Sequence, residues 1–204
     1  ADKAFEVYML RRKTAEQDKL LQAELAMAAD FQELFLQVRI PESACFHFDF
    51  INQYAKRLSF GGDYFDILHL KKERYLLLLG DVAGHGLKAS FLVSILKSII
   101  YSEFMKEKTE GNISPSEFLT WLNGRMHTIL HRTPDLFLAF SACYIDGDSG
   151  TLSCANGGQP PPLLISGSGV VEICHPEPAL GVTESFRYSE ATRQMSPDDV
   201  ILLC

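Results

Sequence analysis

Two short segments of the sequence combine aspartate with glycine beside a predicted strand. They read Gly-Gly-Asp-Tyr-Phe-Asp at 61–66 and Gly-Asp-Val-Ala-Gly-His-Gly at 80–86. The turn Lys71–Arg74 lies between their strands, with Asp63 eight residues before it and Asp81 seven residues after it. Because the two arms are nearly equal, antiparallel pairing predicts that these two aspartates lie close together at the same end of a sheet.

Two carboxylates held side by side repel each other unless a cation lies between them. A hard divalent ion with oxygen ligands, Mg²⁺ or Mn²⁺, is the natural partner for such a pair. The flanking glycines let the backbone approach a ligand and leave amides that can point at it. The alternative is structural, with a bulge at Gly61-Gly62 and a helix-start turn at 84–86. The two segments together, on one hairpin, favour a metal site.

The elements that must position these residues follow from hydrophobic periodicity and capping signals. Helices are predicted from residue 87 to about 108 and from 115 to about 131, the second opened by the capping sequence Ser114–Glu117. A continuous apolar run predicts a central strand at Tyr75–Leu79. Other strands are predicted at Phe46–Phe50, Asp63–Leu70, Leu136–Ile145, Thr151–Asn156, Leu163–Ser166, Val170–Cys174, Arg187–Gln194 and Val200–Cys204. This order favours an α+β fold with antiparallel sheets and helices on one face.

Residues 1 to about 38 predict one long helix, because they lack Gly and Pro and are rich in Ala, Leu, Glu, Gln and Lys. Steps of three and four residues trace a heptad seam whose middle is polar. The seam includes Leu10, Leu21, Ala28, Phe31 and Phe35. Two interpretations stay open: a dimerising linker that transmits a signal, or a single amphipathic helix lying on its own domain.

Composition narrows the possible partners and compartment. The 204 residues carry a formal net charge of −7, which disfavours sequence-independent binding of nucleic acid. No apolar run reaches the roughly 18–20 residues that span a bilayer, so we expect a cytoplasmic segment without membrane contact, although its parent protein could be attached to a membrane sensor. The five cysteines contain no C-x-x-C pair, and we expect reduced thiols that act as small core residues.

Taken in order, these motifs resemble the metal-dependent bacterial serine/threonine phosphatases of the SpoIIE/RsbU type, relatives of the PPM phosphatases. The resemblance extends from about residue 28 to the C-terminus and includes three further motifs. These are Ser-Pro-Ser-Glu-Phe-Leu-x-x-Leu-Asn at 114–123, Ala-Asn-Gly-Gly-Gln-Pro-Pro-Pro-Leu-Leu at 155–164 and Pro-Ala-Leu-Gly at 178–181. The resemblance implies two stacked antiparallel β-sheets flanked by α-helices and preceded by a long N-terminal helix. The implied division is a linker or coiled-coil helix at 1–40 and a PPM-like phosphatase domain at 41–204.

The resemblance also implies an activity and its partners. The expected enzyme is a protein serine/threonine phosphatase that uses two Mn²⁺ or Mg²⁺ ions and a metal-activated water. Its expected substrate is a phosphoserine or phosphothreonine regulatory protein of the anti-anti-sigma type, in bacterial stress signalling through sigma-factor regulation. A homodimer formed through the N-terminal helix and an upstream sensor domain are also expected.

The family resemblance also implies roles for individual residues. Asp63 and Asp81 would be catalytic metal ligands, and the Val82 backbone carbonyl would complete one coordination shell. Four residues of the two glycine-rich segments would line the site, namely Gly62, Gly84, His85 and Gly86. Asn156 would either lie near the rim of the site or serve as a turn residue that satisfies its own backbone.

Three departures from the family pattern accompany this resemblance. The family continues after its last strand with Thr-Asp-Gly and a later acidic pair, whereas this sequence ends at Ile201–Cys204, so we expect a domain truncated at its C-terminus that could be inactive as a fragment. Gln159 occupies the position where His is usual, and Ala83 occupies one where Ser is common. The alternatives are an impaired pseudophosphatase acting as a dimeric signalling scaffold and, more remotely, a diguanylate cyclase with a variant of the Gly-Gly-Asp-Glu-Phe signature.

Overall fold

The computed structural model describes residues 2–51, 61–84, 86–107, 113–131, 133 and 136–204. Within them the helices are α1 (Asp2–Leu36), α2 (Leu87–Ile99), a π-helical turn (Ile100–Phe104), α3 (Met105–Glu107) and α4 (Pro115–Leu130). The strands are β1 (Asp63–Lys71), β2 (Arg74–Val82), β3 (Leu138–Asp146), β4 (Thr151–Gly157), β5 (Leu163–Ser166), β6 (Gly169–Glu172), β7 (Ala191–Gln194) and β8 (Val200–Leu202).

The strands form two antiparallel sheets, which confirms the predicted α+β class. The larger sheet has the order β1-β2-β3-β4-β7, and the smaller has the order β6-β5-β8. One core cluster joins α2 and α4 to one face of the larger sheet. A second cluster, with Tyr75, Cys143 and Ile145 from the larger sheet and Leu164 from β5, fills the other face. The face that carries this second cluster is called the inter-sheet face below.

The central position of β2 follows from its sequence. Tyr75 and Leu76 are fully buried and point to opposite faces of the sheet, since successive side chains alternate. Such a strand needs cover on both faces, and β2 has it from the helices on one side and the second core cluster on the other. The predicted start of α4 is also confirmed, because the Ser114 side chain accepts a hydrogen bond from the Glu117 amide at 3.2 Å.

The strand predicted at Phe46–Phe50 is wrong. No strand is assigned at 46–50, although Phe46 and Phe48 are partly buried against Tyr75, with ring centroids 5.9 and 5.0 Å away. The backbone amides here bond to side chains instead of a neighbouring strand: the Phe46 amide donates to Ser43 Oγ, and the Phe50 amide donates to the carboxylate of Asp49. The alternating phenylalanines therefore reflect alternate burial of side chains and not pairing with a neighbouring strand.

The expectation that all five cysteines are free thiols is also wrong. Cys143 on β3 and Cys154 on β4 are directly paired across the sheet and form a disulfide, with Cα atoms 4.2 Å apart. Both are fully buried in the second core cluster. Cys45, Cys174 and Cys204 are free. Sequence spacing could not reveal this pair, because the two residues meet only through the register of β3 and β4.

Helix α1 is one continuous helix whose C-terminal part packs on α2. Gln32 is buried there, with 8% of its surface exposed, whereas the predicted heptad seam lies in solvent. Leu10, Leu21 and Phe31 are 59%, 54% and 70% exposed. The helix therefore lies on its own domain through a face different from the seam, which remains free in the single chain. Over the described residues, none of the helices has the length and apolar character needed to cross a membrane.

Candidate metal centre

Asp63 and Asp81 are cross-strand partners at one end of the larger sheet. Asp63 opens β1, Asp81 lies near the end of β2, and the register pairs them directly. Both side chains are exposed to solvent. They lie on the inter-sheet face, because Asp81 shares strand parity with Tyr75 and Asp63 shares it with Ile67, which pack in the second core cluster. The predicted juxtaposition of the two carboxylates is confirmed, and their role as ligands stays a prediction.

The electrostatics of the pair leave negative charge uncompensated. Partial burial raises the pKa of Asp81 above its ordinary value, and the nearby Asp63 carboxyl raises it further. Each salt bridge found in the described part of the chain involves other residues. A cation bound between the two groups would relieve this repulsion and favour ionisation of Asp81.

Gly62 brings the backbone of the two strands together beside the carboxylates. The Val82 amide donates a hydrogen bond to the Gly62 carbonyl at 3.0 Å. A Cβ on Gly62 would meet the Val82 carbonyl oxygen at 2.9 Å and the Ala89 Cβ at 3.3 Å. Only glycine fits this approach without a shift. The Val82 carbonyl, predicted to be a metal ligand, is therefore held within the same small volume as the Asp81 carboxylate.

The loop after β2 is fixed at both ends by backbone contacts. The Ala83 amide donates to the Phe137 carbonyl at 2.9 Å, and the Ser90 amide donates to the Gly86 carbonyl at 3.2 Å. Gly84 and Gly86 have φ values of +113° and +77°, which L side chains rarely adopt. These two glycines of the predicted lining set therefore have a conformational reason to be glycine. His85, also predicted to line the site, lies outside the described residues.

Gln32 of α1 reaches the backbone next to the site, and sequence reasoning did not identify it. Its Nε2 donates to the carbonyls of Gly61, at 3.5 Å, and Ser90, at 3.3 Å. The residue therefore connects α1 both to the glycines before Asp63 and to α2. The only available signal was a polar residue beside the predicted seam, which usually indicates an exposed position.

Asp66, the second aspartate of the first motif, lies on the opposite face of the sheet from Asp63. It is 3% exposed and accepts hydrogen bonds from the hydroxyls of Tyr64, at 3.1 Å, and Tyr101, at 2.9 Å. Lys97 Nζ lies 3.9 Å from its carboxylate and donates to the Gln37 carbonyl at 3.1 Å. Asp66 is therefore the centre of a buried polar network between β1, α2 and the end of α1.

Asn156 is buried and uses its side chain within the turn that follows β4. Its Oδ1 accepts from the Gln159 amide at 2.9 Å, and its Nδ2 donates to the Gln159 carbonyl at 2.9 Å. These contacts match the turn interpretation of Asn156, and its placement on the rim stays a prediction. Gln159 Nε2 donates to the carbonyl of Ala139 at 3.2 Å, and Ala139 is the β3 partner of Asp81.

The donor set fits a hard divalent cation, because two carboxylates and a backbone carbonyl are ligands that Mg²⁺ and Mn²⁺ prefer. The set is small. In the parts of the chain that the structure describes, no group of three or more His, Cys, Asp or Glu side chains could hold a metal ion. The described residues therefore provide a pair of acidic ligands, and additional ligands would have to come from water, substrate or residues beyond this set.

Comparison with known proteins identifies the family. The family model "Stage II sporulation protein E (SpoIIE)" matches residues 71–204 of the chain. The chain belongs to the SpoIIE family. The matched part contains the segment 80–86 with Asp81, whereas Asp63 precedes it.

Two curated relatives of this SpoIIE-family chain are named phosphoserine phosphatases from Bacillus subtilis (strain 168). RsbP is 23% identical over 153 residues, which cover 74% of the chain and 37% of RsbP. RsbU is 24% identical over 187 residues, which cover 90% of the chain and 52% of RsbU. The chain therefore spans about half or less of the length of these relatives.

Solved structures show the same fold at low sequence identity. The SiaA-PP2C domain of Pseudomonas aeruginosa matches with a TM-score of 0.69 at 16% identity, covering 91% of the chain and 71% of that domain. RsbX, whose structure was determined in complex with magnesium, matches with a TM-score of 0.54 at 15% identity, covering 69% of the chain and 64% of RsbX. The architecture described above is thus a PP2C-like fold.

Proposed function

We propose that this chain belongs to a metal-dependent serine/threonine protein phosphatase that acts on a regulatory phosphoprotein. The observation that carries the proposal is the direct cross-strand pairing of Asp63 with Asp81 at an exposed end of the larger sheet. Membership of the SpoIIE family and the names of RsbP and RsbU support phosphate-ester hydrolysis as the reaction.

In this proposal the chain's own residues hold and orient the reacting groups. Asp63 and Asp81 hold the cation, and the Val82 carbonyl adds a neutral oxygen ligand. When bound, Mn²⁺ or Mg²⁺ lowers the pKa of water and offsets charge on phosphoryl oxygens. Gly62 keeps a side chain out of the space beside the Asp81 carboxylate, and Gly84 and Gly86 remain predicted lining residues. His85 remains a predicted lining residue.

The expected substrate is a phosphoserine or phosphothreonine protein of the anti-anti-sigma type, as the family resemblance implies. An upstream sensor domain and a location in the cytoplasm are part of the same proposal. The net charge of −7 disfavours phosphate recognition by a broadly basic surface, so a bound cation would supply the local positive charge that a phosphate needs.

The test is phosphate release by the full-length protein from a phosphoserine protein, with and without Mn²⁺. We expect turnover only with the divalent cation, and no product from GTP. Product from GTP would instead support the diguanylate cyclase alternative. A folded protein that binds Mn²⁺ but releases no phosphate from any phosphoprotein tested would favour the scaffold, an alternative consistent with the small acidic ligand set among the described residues.

We further propose that the chain forms a homodimer through the seam of α1. The seam residues Leu10, Leu21, Phe31 and Phe35 remain between 41% and 70% exposed in the single chain, and exposed apolar side chains at heptad spacing favour helix pairing. The face of α1 next to the seam holds the helix on the domain, since the buried Gln32 bonds to Gly61 and Ser90. The exposed seam residues lie outside this contact, so a second copy could pair with them while Gln32 keeps its bonds.

Adjacent leucines in α1 provide a matched test of the dimer. Leu20 and Leu21 are 63% and 54% exposed, but only Leu21 lies on the seam. We expect Leu21→Lys to weaken dimerisation at least about 10-fold, since a charge at a seam position must lose water on pairing. Leu20→Lys should change it little. Analytical ultracentrifugation of both variants decides the point, and an equal effect of the two substitutions, or a monomeric wild type, would contradict the proposal.

A further inference from the structure

A buried hydroxyl close to the carboxylate pair in the sheet register lacks a hydrogen-bond partner among the residues that the structure describes. Ser141 on β3 is 1% exposed, and over the described residues its Oγ lacks any hydrogen-bond partner. Buried polar groups are nearly always hydrogen-bonded, and an unsatisfied one lowers stability. An unsatisfied hydroxyl at such a position therefore points to a partner other than the described residues.

Sheet register places Ser141 next to Asp81. The β3 partner of Asp81 is Ala139, and Ser141 is two residues further along, opposite Leu79. Residues related in this way are diagonal neighbours, with Cα atoms about 7–8 Å apart and side chains on the same face. That face is the inter-sheet face, because Ser141 shares strand parity with Cys143 and Ile145, which belong to the second core cluster.

Neighbouring polar groups are already engaged. Asn156, the β4 partner of Ser141, uses its side chain within its own turn, and Gln159 Nε2 donates to Ala139. The unengaged groups at this end of the inter-sheet face therefore include the Asp63 and Asp81 carboxylates and the Ser141 hydroxyl. Among the described residues no direct hydrogen bond joins Ser141 to Asp81, so contact between the two groups would have to run through a water molecule.

Resting on the proposed metal site, we infer that Ser141 is a positioning residue whose hydroxyl hydrogen-bonds the hydration shell of the cation held by Asp63 and Asp81. Mg²⁺ and similar hard ions keep several of their waters when proteins bind them. Such outer contacts orient the ligands, and their loss commonly weakens metal affinity 10–100-fold, as a rough range. Ser141 would thus add affinity to a site that has few acidic ligands among the described residues.

The test compares Ser141→Ala with Ser153→Ala in the full-length protein. Ser153 is also a buried serine, 8% exposed, but its Oγ is hydrogen-bonded to Thr192 at 2.8 Å. Without metal, Ser141→Ala should melt no lower than wild type, because it removes an unsatisfied hydroxyl, whereas Ser153→Ala should melt lower. In Mn²⁺ titrations followed by calorimetry, Ser141→Ala should bind about 10-fold more weakly, and Ser153→Ala should bind like wild type.

The outcomes separate the two claims. If wild type binds Mn²⁺ and Ser141→Ala binds it equally well, the role of Ser141 is overturned while the metal site stands. If Ser141→Ala melts well below wild type without metal, the hydroxyl is satisfied within the protein, and the inference also fails. If wild type itself binds no Mn²⁺, both the proposed metal site and the inferred role of Ser141 are wrong.

Discussion

Replacing Asp81 by asparagine is expected to abolish Mn²⁺-stimulated phosphate release by the full-length protein, with a loss of at least about 100-fold in kcat/KM. Lewis-acid stabilisation of a phosphoryl group contributes several kcal/mol, and each 1.36 kcal/mol, roughly, corresponds to a tenfold change in rate. Asn keeps the shape of the side chain but removes the charge that a divalent cation needs. Initial rates across a Mn²⁺ series measure the effect.

A matched control for this substitution is Asp148→Asn. Asp148 is an exposed aspartate in the β3–β4 turn, at the end of the larger sheet away from Asp81. Its replacement removes the same formal charge from the chain and should leave the rate within about twofold of wild type, since exposed charges far apart are largely screened. Equal losses in the two variants would show that net charge, and not the Asp63–Asp81 pair, controls the activity.

Without metal, the effect of Asp81→Asn on folding stability should depend on pH. The raised pKa of Asp81, caused by its partial burial and by Asp63, means that the folded chain holds this proton more tightly than the unfolded chain. The contribution of Asp81 to folding stability is therefore present below the ordinary Asp pKa. It is lost as pH rises through the raised pKa of Asp81 in the folded chain. Asp81→Asn should therefore be more stable than wild type at neutral pH, and the gap should close on acidification. Saturating Mn²⁺ should reverse the order at neutral pH.

Replacing Asp66 by alanine is expected to cost about 3–5 kcal/mol of unfolding free energy, the usual result of removing one partner of a buried ion pair. The change leaves Lys97, which is 9% exposed, without its counter-charge. It also leaves the hydroxyls of Tyr64 and Tyr101 without their acceptor. For a chain of this size the melting temperature should fall by about 10 °C, as measured by calorimetry.

The double variant Asp66→Ala with Lys97→Met separates the ion pair from the rest of the network. If the uncompensated lysine causes most of the loss, the double variant should recover stability relative to Asp66→Ala alone. The tyrosine hydroxyls would still lack an acceptor, so recovery should be incomplete. A loss of less than about 1 kcal/mol in Asp66→Ala, within the range of an exposed pair, would show that the network contributes little to stability.

The main features of the site could be predicted from sequence because they depend on local geometry. Nearly equal hairpin arms around a four-residue turn predicted that Asp63 pairs with Asp81, and the structure has that register, with an irregularity between His69 and Lys71 that absorbs the difference of one residue. The start of α4 followed from one capping sequence, and the structure shows the Ser114 side chain accepting from the Glu117 amide. Both signals lie within about ten residues of the turn or cap that determines them, so no knowledge of tertiary contacts was needed.

Other features depend on distant contacts that a single sequence does not reveal. Asp66 follows Asp63 by three residues, yet its partners Lys97 and Tyr101 come from a helix 31 and 35 residues away. Alternating phenylalanines at 46–50 indicated a strand, but side chains satisfy the amides of that segment. The Cys143–Cys154 disulfide likewise needed the register of two strands. Burial and pairing at long range decided each of these cases.

The most direct test of this account is Mn²⁺ binding to full-length wild type, to Asp63→Asn, to Asp81→Asn and to Asp66→Asn, measured by calorimetry on samples shown to be folded. Asp63 and Asp81 pair at the exposed end of the inter-sheet face. Asp66, from the same motif as Asp63, is buried on the face that packs against the helices. The account predicts that wild type and Asp66→Asn bind Mn²⁺ and that the Asp63 and Asp81 variants do not. Binding that survives in Asp63→Asn and Asp81→Asn would contradict it.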